Sequence, residues 1–159
     1  MKNVQVIDRA LLDEVSRMAR ESPRRRKNYN FHSADDDASH RLLNAVEPDS
    51  YIQPHRHIDP AKDETIIVLR GRFGVVFFDP SGVISGTTLL DANGPAIGLT
   101  VPHGVFHTLV ALAPAGVFFE SKAGPYRPLA ADERAQWSPA EQDATARGYL
   151  TQLAELFQQ

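Results

Sequence analysis

The sequence predicts a mainly β fold, an antiparallel sandwich or barrel with a helix at each end. Three observations predict it. From Tyr51 onward, short runs rich in β-branched and aromatic residues follow one another, over 51–57, 64–70, 72–79, 83–90, 96–101, 106–111 and 117–121. Turn chemistry separates them, at Asp59-Pro60, Arg70-Gly71, Asp79-Pro80-Ser81-Gly82, Asn93-Gly94-Pro95, Pro102-His103-Gly104 and Pro114-Ala115-Gly116. Outside this block, apolar residues recur at helical spacing towards both ends. Close-spaced strands with no helices between them imply antiparallel pairing.

In chain order, residues 7–20 place Leu11, Leu12, Val15, Met18 and Ala19 on one helical face, with Asp8 positioned as the N-cap. A basic run, Arg24-Arg25-Arg26-Lys27, leads into Asn28-Tyr29-Asn30-Phe31-His32. Ser33 and Asp36 then offer a variant capping box. With Asp35, Asp36 and Asp37 in its first turn, this predicts a second helix carrying Leu42, Leu43, Ala45 and Val46. After the strands, Ser138-Pro139-Ala140-Glu141 combines a capping box with proline at the first helical position. It predicts a last helix whose stripe is Tyr149, Leu150, Leu153, Leu156 and Phe157.

The 159 residues amount to one domain, 1–159, divided into an N-terminal helical segment able to act as a lid (1–47), a barrel (48–123) and a C-terminal extension with its helix (124–159). A hydrophobic content of 42%, a charged content of 23% and a net charge of −3 are ordinary for a globular protein and give no reason to expect nucleic acid or a membrane as partner. Asp8 and Arg9 fall where a signal peptide needs its apolar core, and no apolar run approaches the roughly 20 residues of a membrane helix. A cytoplasmic protein is expected. There is no cysteine, which excludes disulfides and thiolate ligands and leaves His, Asp and Glu as the strong side-chain donors.

Those donors cluster. Residues two apart on a strand share a face, so His55 and His57 can present both imidazoles to one point while Arg56 faces away. Glu64 on the next strand and His107 after the Pro102-His103-Gly104 turn would complete a nitrogen and oxygen shell for a divalent transition metal such as Fe, Mn, Ni or Zn. Asp59 and Asp63 lie in the same connection as Glu64, and either could take its place. Glu64 is favoured because it leads directly into an apolar strand, where an inward carboxylate needs a partner. His103 reads as a solvated loop residue, and Tyr126 and Trp137 as core.

The motifs His55-x-His57, Glu64 and Gly71, followed by Pro102-x-Gly104-x-x-His107, resemble the two cupin motifs. The wider chain resembles the WbuC-type cupin-fold metalloproteins associated with bacterial O-antigen and polysaccharide clusters. The likeness rests on Ser22-Pro23-Arg24-Arg25-Arg26, Asn28-Tyr29-Asn30-Phe31-His32, Pro48-x-Ser50-Tyr51-Ile52-x-Pro54-His55-Arg56-His57, Phe119-Glu120-Ser121-Lys122-Ala123-Gly124-Pro125-Tyr126 and Trp137-Ser138-Pro139. It implies a cupin-type double-stranded β-helix, or jelly-roll barrel, with a metal at its mouth. By the same likeness, the basic segment would fold over that mouth and bring Arg24, Asn28, Asn30 and His32 to an anionic or sugar-like small molecule. Homodimers through sheet edges are common among cupins and are expected here.

Glu120 follows an apolar run on the face opposite Phe119, so it is either salt-bridged or an acid/base group near the metal. Two classes of function follow. One is an enzyme on a sugar-like or nucleotide-sugar substrate, of isomerase or epimerase type with Glu120 or His32 moving a proton, or a dioxygenase were the metal iron. The other is a non-catalytic module that binds its ligand through the metal.

Overall fold

The computed structural model describes residues 3–158. Its elements are α1 (Arg9–Glu21), β1 (Arg26–Asn30), β2 (Ser39–Val46), β3 (Glu64–Arg70), β4 (Arg72–Phe78), β5 (Ile84–Asp91), β6 (Gly98–Val101), β7 (Phe106–Ala111), β8 (Gly116–Ala123) and α2 (Ala146–Glu155). A five-stranded sheet, in the order β1-β2-β8-β3-β6, faces a three-stranded sheet, β5-β4-β7, and every pairing is antiparallel. This is the cupin-type double-stranded β-helix with helices at both ends.

Period-2 alternation sorts the side chains. Between the sheets, Val46, Ile66, Val68, Phe73, Val75, Leu90, Leu109 and Phe118 form the barrel core. Phe73 and Phe118 meet edge to face, with ring centroids 5.2 Å apart. The other face of the large sheet presents Leu43, Ala45 and Val117 to Leu12, Val15 and Ala19 of α1, whose N-terminus is capped when Asp8 accepts from the Leu11 N–H at 2.9 Å. On the small sheet, Ala146, Leu150 and Leu153 of α2 cover Val76, Phe78 and Val110. Gly71, at φ +80°, turns β3 into β4, a conformation that a Cβ would strain.

The small sheet is widened by chain outside its named strands. His55 donates its N–H to the His107 carbonyl at 3.0 Å and accepts from the His107 N–H at 2.9 Å. On its other side, Arg56 donates to the Glu133 carbonyl at 2.8 Å and Ala135 to the Pro54 carbonyl at 3.0 Å. Residues 54–57 are thus clamped between β7 and 133–135. The strand expected over 51–57 is reduced to this bridged stretch.

Three expectations need correction. The helix expected after Ser33 is instead a turn followed by β2. Asp37 accepts from the Ser33 N–H at 2.7 Å within the turn rather than serving a helix N-terminus. The run Ser39–Val46 then alternates, with Leu43 and Ala45 towards α1 and His40, Leu42, Asn44 and Val46 towards the barrel, because pairing with β1 and β8 supplies every backbone partner. The basic run opens β1, a strand the sequence reading missed. The last helix starts at Ala146 instead of near Ser138, whose hydroxyl donates to the Ala135 carbonyl at 2.8 Å. Among the described residues, no helix is long and apolar enough to cross a membrane.

Phe73→Ala would leave a void between the sheets and should lower stability by about 3–5 kcal/mol in urea unfolding. A loss below about 1 kcal/mol would show that the inter-sheet core does not carry the fold.

Candidate metal centre

The two sheets converge where Glu64 opens β3 and His107 is the second residue of β7. Glu64 shares the barrel-side face of Ile66 and Val68, and His107 pairs with Phe77 across β4 while bridging to His55. Ligand atoms of His55, His57 and Glu64 lie within 4.8 Å of one another. Nε2 of His107 stands 3.4 Å from Glu64 Oε2, and Nε2 of His57 stands 3.3 Å from the same oxygen. Glu64 and His107 are buried, at 4% and 1% exposure.

The hydrogen bonds around the rings fix their chemistry. Nδ1 of His55 lies 3.0 Å from the Gln53 carbonyl and Nδ1 of His107 lies 3.0 Å from the Val105 carbonyl. A carbonyl only accepts, so in the neutral ring each Nδ1 carries the proton and each Nε2 turns a lone pair inward. Burial, reinforced by His107, pushes the pKa of His55 down to about 3 and keeps that imidazole neutral. Burial works against a charged Glu64, yet His107, His57 and Lys122 hold its carboxyl well below the usual range. Burial also disfavours charge on His107, but Glu64 outweighs it and raises the pKa.

A divalent cation fits this donor set. Glu64 Oε2 and His107 Nε2 are buried with no hydrogen-bond partner, so without a cation two acceptors face each other out of reach of water. Three imidazoles and one carboxylate suit a divalent transition metal. The orphaned pair identifies His107 and Glu64, with His55 and His57, as the residues that would hold it.

The alternatives are engaged elsewhere. Asp63 accepts from both the backbone N–H and Nδ1 of His103, each at 2.8 Å, and Asp59 accepts from the Ala61 N–H at 2.9 Å within a turn. His103 is an exposed loop residue.

Beside the quartet lies a buried polar group that the sequence reading found only in part. Glu120 of β8 accepts from Lys122 Nζ at 2.6 Å and from Asn44 Nδ2 at 2.8 Å. Lys122 Nζ is also 3.5 Å from His57 Nε2. Burial first, then the Glu64 carboxylate, pushes the pKa of Glu120 up to about 7, against the pull of Lys122. Burial opposes charge on Lys122, but Glu120 and Glu64 more than compensate and raise its pKa. Lys122 was findable, since it shares the face of Glu120 two residues away. Asn44 was hidden by the helix expected there. A cavity of about 330 Å³ lined by His57, Ile58, Asp59, Lys62, Arg127 and Glu133 adjoins the quartet at His57.

The remaining expected residues lie further out. His32 is buried and stacked on His40, ring centroids 3.9 Å apart, with Nδ1 accepting from the Arg41 N–H at 3.2 Å. Asn28 donates to Asn30 at 2.8 Å on exposed β1, whose barrel-side face it shares with Asn44 opposite. Arg24 binds Glu141 at 3.0 Å, together with Arg26, so the basic segment is tied to the C-terminal extension. Trp137 packs on Phe78 and Phe106 as expected of core, whereas Tyr126 is 57% exposed and outside it.

Solved structures match the fold at low identity. KdgF from Halomonas sp. aligns over 67% of this chain and 84% of its own, with 20% identity and a TM-score of 0.51. A conserved protein of unknown function from Streptococcus pyogenes aligns over 80% and 93%, with 11% identity and a TM-score of 0.53. CapF, solved with the inhibitor 3-isopropenyl-tropolone, aligns over 64% of this chain and 28% of its own, with 16% identity and a TM-score of 0.52. No curated protein matches the sequence. A family model described as a domain of unknown function, DUF6016, matches residues 7–90, which run from the start of α1 through β5 and include His55, His57 and Glu64. With more than half its length matched, this cupin-fold chain belongs to the DUF6016 family.

Proposed function

We propose that the protein is a metal-dependent enzyme of the WbuC type, acting on a small sugar-like or nucleotide-sugar substrate by proton transfer, as an isomerase or epimerase in polysaccharide biosynthesis. The observation that carries the reading is Glu120, a buried carboxylate beside the quartet on the barrel-side face. A divalent ion held by His55, His57, Glu64 and His107 would supply Lewis acidity towards a carbonyl or paired hydroxyls. Glu120 would hold or move the proton, Lys122 and Asn44 would orient it, and the barrel core would exclude water from below. His32 would be the alternative proton carrier, held in place by its stack on His40. Asn28 and Asn30 would extend the polar face towards the β1 edge, and Arg24 would meet the anionic end of a longer substrate. The free edges at β1 and β6 would serve a homodimer, and the protein would work in the cytoplasm.

One observation favours a non-catalytic module instead. Both oxygens of Glu120 already accept hydrogen bonds, from Asn44 and from Lys122, which restrains a carboxylate from collecting a substrate proton.

Native protein should carry a stoichiometric divalent metal by elemental analysis, and His57→Ala or His107→Ala should reduce its occupancy. A metal-free protein whose uptake is indifferent to both changes would defeat the metal reading. Protonated imidazole cannot ligate. Against the effect of burial, Glu64 raises the His107 pKa, while burial holds His55 neutral down to about 3. Metal affinity should therefore begin to fall as the pH drops into and below the ordinary imidazole range, through His107 first, in a competition titration with a chelator. On incubation with candidate nucleotide sugars and metal, product analysis should show turnover reduced by about 10²–10⁴-fold in Glu120→Gln. Undiminished turnover would remove Glu120 from the mechanism, and binding without any turnover would favour the module.

A further inference from the structure

Lys122 brings its ammonium group to within 3.5 Å of a quartet atom, and its surroundings dictate what it can do there. Its side chain is 19% exposed and reaches inward from β8, with Nζ 2.6 Å from Glu120 Oε1. That bond uses one of three N–H donors. A second points at His57 Nε2 from 3.5 Å, the outer limit of a hydrogen bond. His57 Nε2 is also the atom that the metal would take, and one lone pair cannot serve both. With metal bound, Lys122 therefore keeps its ion pair to Glu120 and is left with N–H donors not committed to either group, next to His57.

Charge points the same way. With the imidazoles neutral and Glu120 ionised in its pair with Lys122, a divalent ion together with Glu64, Glu120 and Lys122 leaves a single net positive charge among these buried groups, which a monoanion would neutralise. Without the ion, the same groups sum to a net negative charge, which repels an anion. Asn44 holds the second oxygen of Glu120 at 2.8 Å, so Glu120 is fixed and Lys122 is fixed through it. The cavity of about 330 Å³ that His57 shares has room for a small organic molecule.

We propose that Lys122 is a ligand-binding residue that selects a small carboxylate, one oxygen of which accepts from its Nζ while the ligand is held at the metal, so that anion binding requires prior metal loading. This rests on the metal reading above and adds the ligand's charge and its anchor. It holds for the enzyme and for the binding module alike, because it concerns recognition and not turnover.

Isothermal titration calorimetry on the full chain tests it, with manganese(II) as the metal and glycolate as the probe. Manganese-loaded protein should bind glycolate, while metal-free protein and the neutral analogue glycolamide should give affinities weaker by at least tenfold or no heat. Lys122→Met should weaken glycolate binding about 10- to 100-fold, the worth of one charge-assisted hydrogen bond, with manganese stoichiometry unchanged. Because this change strands the Glu120 charge, the pair Lys122→Met with Glu120→Gln is the second variant. It removes both charges at nearly constant shape and should show the same loss. Equal glycolate affinity in wild type and either variant, equal affinity for glycolate and glycolamide, or glycolate binding to metal-free protein would overturn the proposal while leaving the metal reading intact. Failure of wild-type protein to take up manganese or any other divalent metal would overturn both.

Discussion

Glu64 and His107 come from opposite sheets, and their buried acceptor atoms meet 3.4 Å apart with nothing between them to share. Much of the barrel mouth answers that conflict. Backbone carbonyls at Gln53 and Val105 hold the protons of His55 and His107 on the far side of the rings, so the lone pairs stay inward. The bridge between His55 and His107 sets the spacing of the two rings, whose centroids are 4.8 Å apart. A buried acceptor pair of this kind is relieved by a bound cation or by a proton on His107, so a metal held there would compete with that proton and its binding would be linked to the fold.

The inner face of the large sheet is graded along its length. Val46, Phe118 and Val68 lie towards one end, while Glu120 and then Lys122 and Glu64 lie towards the other, with Asn44 level with Phe118 and reaching along to Glu120. Glu120 is fixed in two directions, across strands by Asn44 of β2 and along β8 by Lys122. The apolar end resists deformation because it is packed. The polar end is positioned by that packing and is free to meet a ligand.

Much of this was legible in the sequence and some was not, for physical reasons. The His55-x-His57 spacing announced a shared point because period 2 holds even for a short bridged stretch. Pro102-x-Gly104-x-x-His107 announced the second half because the turn and the strand after it are local. The segment from Ser33 to Val46 misled because aspartates that suit a helix start suit a turn equally, and Leu42-Leu43 fits both periods. Only the partners on β1 and β8 decide, and they lie far away in sequence. The arginines of 24–26 resolve the same way. Their carboxylates are Asp49 and Glu141, distant in sequence, so an apparent anion-binding run is in large part internally neutralised.

The clamping of residues 54–57 between β7 and 133–135 has a consequence for how the protein is made. Two imidazoles of the quartet sit on a stretch with no strand of its own, held in register by chain that emerges later. Contacts of such sequence separation form late, since loop closure must be met before they stabilise anything. A metal site built on these residues would therefore be completed only after most of the polypeptide has been synthesised and returned to it. Until then, a nascent chain presents its histidines without their geometry, and loading with metal would report that the whole domain has closed.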